Sequence, residues 1–279
     1  MMIDLVRIEL YKIFRKWRTY IGFATIAVIV CIIEIAMLIE GESYLKFLTQ
    51  NLQNIFVFEG NFLNGYLMSF IVLGALAIHI PFLITLVSGD LLAGEATSGT
   101  YRMLITRPIT RNQLLTAKLI AATIYTNLMV LFLGVMSLGL GVILFGTGEL
   151  IVIKDILIIF AKDDILWRFV FAYGIASLSM MVVTSMAFFF SSMVENAIGP
   201  IVSTMAVLIV FYILANINID LLQSLRPYMF TTYMQSWNII FTTPVEMDEL
   251  YQAIGVLMFH IILFIGLTYY YFNKKDITS

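Results

Sequence analysis

The chain holds few residues of types that could do chemistry, and their placement narrows what that chemistry is. Glu34, His79 and His260 each stand alone inside a long apolar stretch. An ionisable group in hydrocarbon is costly and by default marks a pathway for protons or solute. For each histidine, a neutral ring hydrogen-bonded to a neighbouring helix fits equally well. Glu34 lies near the outer end of its stretch and can instead reach the interface. With 2 His and 1 Cys in 279 residues, no metal-ligand spacing occurs, and Cys31 cannot form a disulfide within the chain. His-Glu-x-x-His and Gly-x-Ser-x-Gly are both absent, so the main hydrolase constellations have no carriers. Gly-x-x-x-x-Gly-Lys-Ser/Thr is absent too, and with it the phosphate cradle and its lysine. The chain is therefore expected to be neither an enzyme nor a cofactor-binding protein by itself.

The polar residues gather in two places. The first is residues 1–18, where Ile3, Val6, Leu10, Ile13, Phe14 and Trp17 share one helical arc while Lys12, Arg15, Lys16 and Arg18 lie on other faces and Arg7 adds a fifth cation. Such a helix is expected to lie in the cytoplasmic headgroup layer, apolar side down and cations toward anionic lipid. The competing reading is a frayed leader whose cations only set topology. The second place is residues 89–113, with Asp90, Glu95, Arg102, Arg107 and Arg111. Gly99 can stop a short helix begun near Asp90, Arg107-Pro108 forces an extended turn, and Thr110 with Gln113 has capping-box spacing for a following helix. Spacing alone leaves this loop either a structured cytoplasmic element or a simple charged linker.

The elements that hold these residues follow from composition. Apolar residues make up 61% of the chain, charged residues 12%, and the mean hydropathy is +0.97. A soluble domain carries about twice that charge, so the chain reads as an all-α polytopic integral membrane protein. Six apolar spans are expected, at about 19–39, 64–88, 114–145, 167–190, 197–216 and 251–272, within a single transmembrane domain over 1–279. A seventh apolar run at 150–161 carries Lys154 and Asp155 at its centre and is expected at an interface. The first apolar run ends in Glu40-Gly41 without a small-x-small cleavage site, so it is expected to remain attached. Most of the 16 basic residues fall in 1–18, 89–118 and 274–275, which puts both termini in the cytoplasm by the positive-inside rule. A net charge of −2 leaves no basic footprint for nucleic acid. The segment 217–250 is rich in Leu, Met, Tyr, Phe and Trp around Arg226-Pro227. It is too apolar for a solvated loop, and is either re-entrant or an interfacial aromatic belt.

Gly89-Asp90, Glu95, Ser98-Gly99-Thr100, Leu104, Arg107-Pro108-Ile109-Thr110-Arg111, Leu114-Leu115 and Ala117-Lys118 resemble the loop between the second and third spans of type-2 ABC exporter membrane subunits. Tyr101 stands where that family usually has Leu, and Thr110 where Ser is commoner. By architecture the resemblance covers nearly the whole chain. It implies a half-transporter: two such permeases, identical or related, enclose a pathway in the plasma or inner membrane. Two separate ATP-binding subunits, carrying ATP and magnesium, drive it. In that family residues like 89–113 form a coupling helix that docks on the ATPase, which would make Asp90, Glu95, Arg102, Arg107 and Arg111 polar contacts shaped by Gly99 and Pro108. A secondary transporter should instead show matching broken helices in its two halves, and Pro81 and Pro200 do not correspond. A permease relative that transmits mechanical work without moving a solute stays open.

Overall fold

A computed structural model of the chain describes residues 2–50, 62–99, 109–153, 156–217, 219 and 223–275. It is a helical body with six helical stretches long and apolar enough to cross a membrane: Trp17–Phe47, Ile80–Thr97, which is two consecutive short helices, Arg111–Phe145, Lys162–Met193, Ile198–Asn216 and Met247–Lys274. Helix α1 (Met2–Arg15) turns at Lys16, whose backbone is extended, into α2 (Trp17–Thr49). At 33 residues, α2 spans about 50 Å and overshoots the hydrocarbon layer. Hydropathy ends that span near residue 39, but Glu40, Glu42 and Lys46 are good helix formers, so the helix continues past the point where its apolar run stops.

The second apolar stretch is two helices, α3 (Gly65–Leu76) and α4 (Ile80–Ser88). Pro81 sits in the first turn of α4. It offers no N–H to the carbonyl of Ala77 and its ring would collide with that carbonyl, so the chain breaks at 77–79. Gly89 leads into the short α5 (Asp90–Thr97), after which Gly99 takes φ +67°. The long α6 (Arg111–Phe145) opens on the capping box of Thr110 and Gln113. The apolar run at 150–161 contains an antiparallel hairpin, β1 (Leu150–Ile153) with β2 (Leu157–Phe160), in register Leu150 to Phe160 and Ile153 to Leu157. Its Ile- and Val-rich composition suits a pleated strand. Then follow α7 (Leu166–Met193), α8 (Ile198–Asn216) and α9 (Met247–Lys274).

Helix α7 runs through the middle, packed by α4, α5, α6, α8 and α9. Of three 3-10 turns between α8 and α9 (Arg226–Tyr228, Phe230–Tyr233 and Ser236–Phe241), the second and third fold against it, burying Phe230, Trp237 and Phe241. Arg168, at the start of α7, fastens this segment. It pairs with Asp164, donates to the carbonyls of Ile240 and Thr242, and stacks on Phe160 and Trp167. The polarity of the body is that of a membrane protein. Val28, Ile32, Leu131, Val135, Val170 and Ile262 face outward, while Thr126 and Thr184 hydrogen-bond each other at 2.6 Å inside. Buried hydroxyl pairs of this kind hold helices together where lipid supplies no hydrophobic drive.

Candidate functional site: the junction of α1, α5, α6 and α7

The polar cluster legible in the sequence is assembled by α1, α5, the start of α6 and the end of α7. Helix α5 owes its position to a side chain 100 positions away. Ser191 Oγ accepts from the backbone N–H groups of Leu92 (3.1 Å) and Ala93 (3.0 Å) and donates to the carbonyl of Gly89 at 2.6 Å. These are N–H groups of the first turn of α5, which no residue of α5 itself satisfies. At the other end Thr97 Oγ1 donates to the carbonyl of Glu195 at 2.7 Å. Ser191 carried no motif that would have pointed to it. We expect Ser191→Ala to cost about 1–3 kcal/mol, the price of leaving buried donors unmet. Amide hydrogen exchange should accelerate at Leu92 and Ala93; unchanged protection there would remove Ser191 from this role.

Around that anchor the charges close on one another. Glu9 of α1 contacts Lys12 at 2.7 Å and Lys118 of α6 at 2.7 Å; Glu95 of α5 contacts Lys12 at 2.9 Å and Lys118 at 2.7 Å. The four side chains thus form a closed ring of alternating sign spanning three helices. Lys118 is 1% exposed and Lys12 38%. Burial alone would push Glu9 up, but Lys118 and Lys12 beside it outweigh that and hold its carboxyl below the usual glutamate range. Burial works against the charge on Lys12, yet Glu95 and Glu9 hold its ammonium above the ordinary lysine value. Beside the ring, Asp90 takes Lys16 at 2.6 Å and Arg18 at 3.3 Å.

This arrangement redistributes the cations of residues 1–18. Lys12, Lys16 and Arg18 turn into the junction, while Arg7, Arg15 and Trp17 stay exposed, Arg15 lying over the ring of Tyr11. The apolar arc of α1 packs largely on protein: Ile13 is buried and Phe14 meets Tyr125 of α6 edge-on. Sequence reasoning passed over Glu9. The available signal was an acid beside Ile13 on the apolar side of a basic helix, matched by Lys118 among Leu114, Leu115, Ala121 and Ala122. Arg111 donates to the carbonyls of Asn273 and Lys275, tying the start of α6 to the end of α9. Arg102, Arg107 and Pro108 lie outside the described residues.

The three groups placed in the spans do not converge on this junction. His79 lies in the break between α3 and α4, exposed, its Nδ1–H donating to Ala75 O at 2.8 Å. His260 donates likewise to Val256 O at 2.8 Å among Phe230, Phe259 and Phe264. The His260 ring thus serves its own helix, and the His79 ring caps the last turn of α3. Glu34 is fully buried, and neither carboxylate oxygen finds a hydrogen-bond partner among the described residues. At the same break, a cavity of about 120 Å³ opens between α4, α8 and the 3-10 segment, lined by Ile78, Pro81, Leu208, Tyr212 and Met234. Among the described residues no group of three or more His, Cys, Asp and Glu could hold a metal ion.

No protein of curated function matches the sequence. A family profile described as ABC-2 family transporter protein matches residues 3–277. That match takes in every described helix from the first turn of α1 to the end of α9, and the chain accordingly belongs to the ABC-2 transporter family as a multi-pass membrane permease subunit of an ABC transporter.

Proposed function

We propose that the chain is one half of an ATP-driven exporter in the plasma or inner membrane. Two permease copies, or this one and a relative, enclose the pathway. Two ATP-binding subunits bind on the cytoplasmic side, carrying ATP and magnesium, and both termini of this chain face them. The observation that carries the reading is the construction of α5: an eight-residue helix hung between α4 and α6 and held by Ser191, Thr97 and the charge ring. A knob fixed at that many points passes a push from outside to the ends of several membrane helices. A helix in a solvated linker would need none of these ties. The break between α3 and α4 has no counterpart inside α8 or α9, which fits this reading better than the paired broken helices of a secondary transporter.

Asp90 and Glu95 are turned into the junction, so on this reading they set the pose of α5. The ATPase contact then falls to its exposed end, Thr97 to Gly99, and to the stretch that follows, with Arg102 and Arg107. Glu34, His79 and His260 stay candidates for the pathway, Glu34 because its buried carboxyl has no partner. The test is purification of the native complex in mild detergent. An ATPase subunit should co-purify, and Arg102→Glu with Arg107→Glu should cut its yield by about tenfold while the permease still inserts. If no ATPase accompanies the wild-type permease and reconstitution yields no ATP-dependent activity, the reading fails.

A further inference from the structure

The ring of Glu9, Lys12, Glu95 and Lys118 has a property that an ordinary salt bridge lacks. Each carboxylate touches both ammonium groups and each ammonium touches both carboxylates, at 2.7 to 2.9 Å on all four edges. Opening any one edge therefore leaves every charge still paired. If Glu95 leaves Lys118, it keeps Lys12, and Lys118 keeps Glu9. If Glu95 leaves Lys12, it keeps Lys118, and Lys12 keeps Glu9. A single buried ion pair could not be pulled apart so cheaply, because each half would be left charged in a poorly solvated place.

The ring members also sit on the elements that would have to move apart. Glu95 is on α5, Lys118 on α6, and Glu9 and Lys12 on α1. Asp90, five positions before Glu95, is tied to Lys16 and Arg18 at the turn from α1 into α2. One end of α5 is thus fastened to that turn, and the other meets α6 and α1 through exchangeable partners.

We propose that this ring is a sliding joint. Helix α5 shifts relative to α6 by releasing Glu95 from Lys118 while Lys12 keeps it, so α1 is a working part of the coupling element. Lys12 and Lys118 are positioning residues for the coupling step. The proposal rests on the reading of the chain as an ATPase-coupled permease.

The principal test variant is Lys12→Met, because Lys12 is the most exposed member of the ring and its loss leaves Glu9, Lys118 and Glu95 as a connected chain. The permease–ATPase complex is reconstituted in lipid nanodiscs, and ATP hydrolysis that depends on the permease is measured beside thermal stability and ATPase retention. We expect Lys12→Met to keep its ATPase and, because Lys12 is already 38% exposed and partly solvated, to melt closer to the wild-type temperature than Lys118→Met does, while permease-dependent hydrolysis falls at least tenfold. Lys12→Arg should restore it. The fourfold replacement Glu9→Leu, Lys12→Met, Glu95→Leu, Lys118→Met, which exchanges the ring for apolar packing, should hydrolyse as slowly as Lys12→Met, since it fixes α5 without exchangeable partners. Wild-type hydrolysis in Lys12→Met overturns the joint, as does failure of Lys12→Arg to restore the rate. A wild-type complex without ATPase or permease-dependent hydrolysis would count against the transporter reading instead, so the two failures are distinguishable.

Discussion

Lys118→Met should be among the most destabilising single substitutions in this chain, costing about 3–5 kcal/mol at neutral pH, the range for removing one partner of a buried ion pair. Methionine nearly matches lysine in length and volume, so little cavity is created. The loss comes from the buried carboxylates of Glu9 and Glu95, which would be left sharing the one ammonium of Lys12, so that one of their two negative charges goes uncompensated. The pH dependence identifies the cause. In the wild type the carboxyl of Glu9 is held below the usual glutamate range, so its contribution is present above that range and is lost as pH falls through it. In the variant the Lys118 charge is gone and burial remains, which raises the folded-state value. Protonation then favours the folded form, and the deficit relative to wild type should shrink as pH falls from about 7 toward about 4.5. Adding Glu9→Gln to Lys118→Met should recover part of the loss at neutral pH. Melting curves of the three proteins in one detergent at two pH values check this. A deficit that stays constant with pH would mean that packing, rather than stranded charge, is what Lys118 contributes.

That charged pairing shows where sequence reasoning stops. The apolar stretches of about 20 residues report their environment locally, since each must satisfy its own backbone in lipid; five of the six expected spans correspond to single long helices, while the second, at 64–88, is divided at 77–79 ahead of Pro81. The capping box at Thr110 and Gln113 and the stop at Gly99 are equally local. Span lengths are less so: hydropathy marks where α2 leaves the apolar layer, while the helix itself runs ten residues further to Thr49. The run at 150–161, expected at an interface from its length and its charged centre, contains a hairpin because the flanks of that centre are rich in Ile and Val. Least legible was the direction in which the charges point. Arg7, Lys12, Arg15, Lys16 and Arg18 look alike on a positive-inside count, yet Lys12, Lys16 and Arg18 neutralise acids 72 to 83 positions away. Partners so distant come from the meeting of α5 with α1 and the start of α2, which no local periodicity encodes.

The second large effect concerns a contact made by the absence of a side chain. A methyl group at Gly65 should unseat α3 from α6. Its Cβ would lie 2.4 Å from the backbone nitrogen of Val142 and 2.5 Å from the carbonyl carbon of Gly141. Backbone atoms cannot swing aside as a flexible side chain can, so one helix would have to retreat. The contact is reciprocal, since a Cβ at Gly141 would meet Gly65 O at 2.9 Å. Small residues that let backbones approach are the means of association where lipid is as apolar as the side chains. The crossing also carries polar ties that a retreat would break: Gly65 N–H to Gly146 O at 2.9 Å, and the side-chain amide of Asn64 to Glu149 O at 2.7 Å. We expect Gly65→Ala to cost about 3 kcal/mol, the upper part of the range for overpacking. Gly139→Ala provides the control. It lies in the same α6, its added methyl meets nothing within 4 Å, and alanine should stabilise a helix interior by about 0.5–1 kcal/mol over glycine. Melting temperatures that move in opposite directions for these two substitutions would establish the close crossing of α3 and α6. A Gly65→Ala protein as stable as wild type would show that the two helices do not approach to this distance.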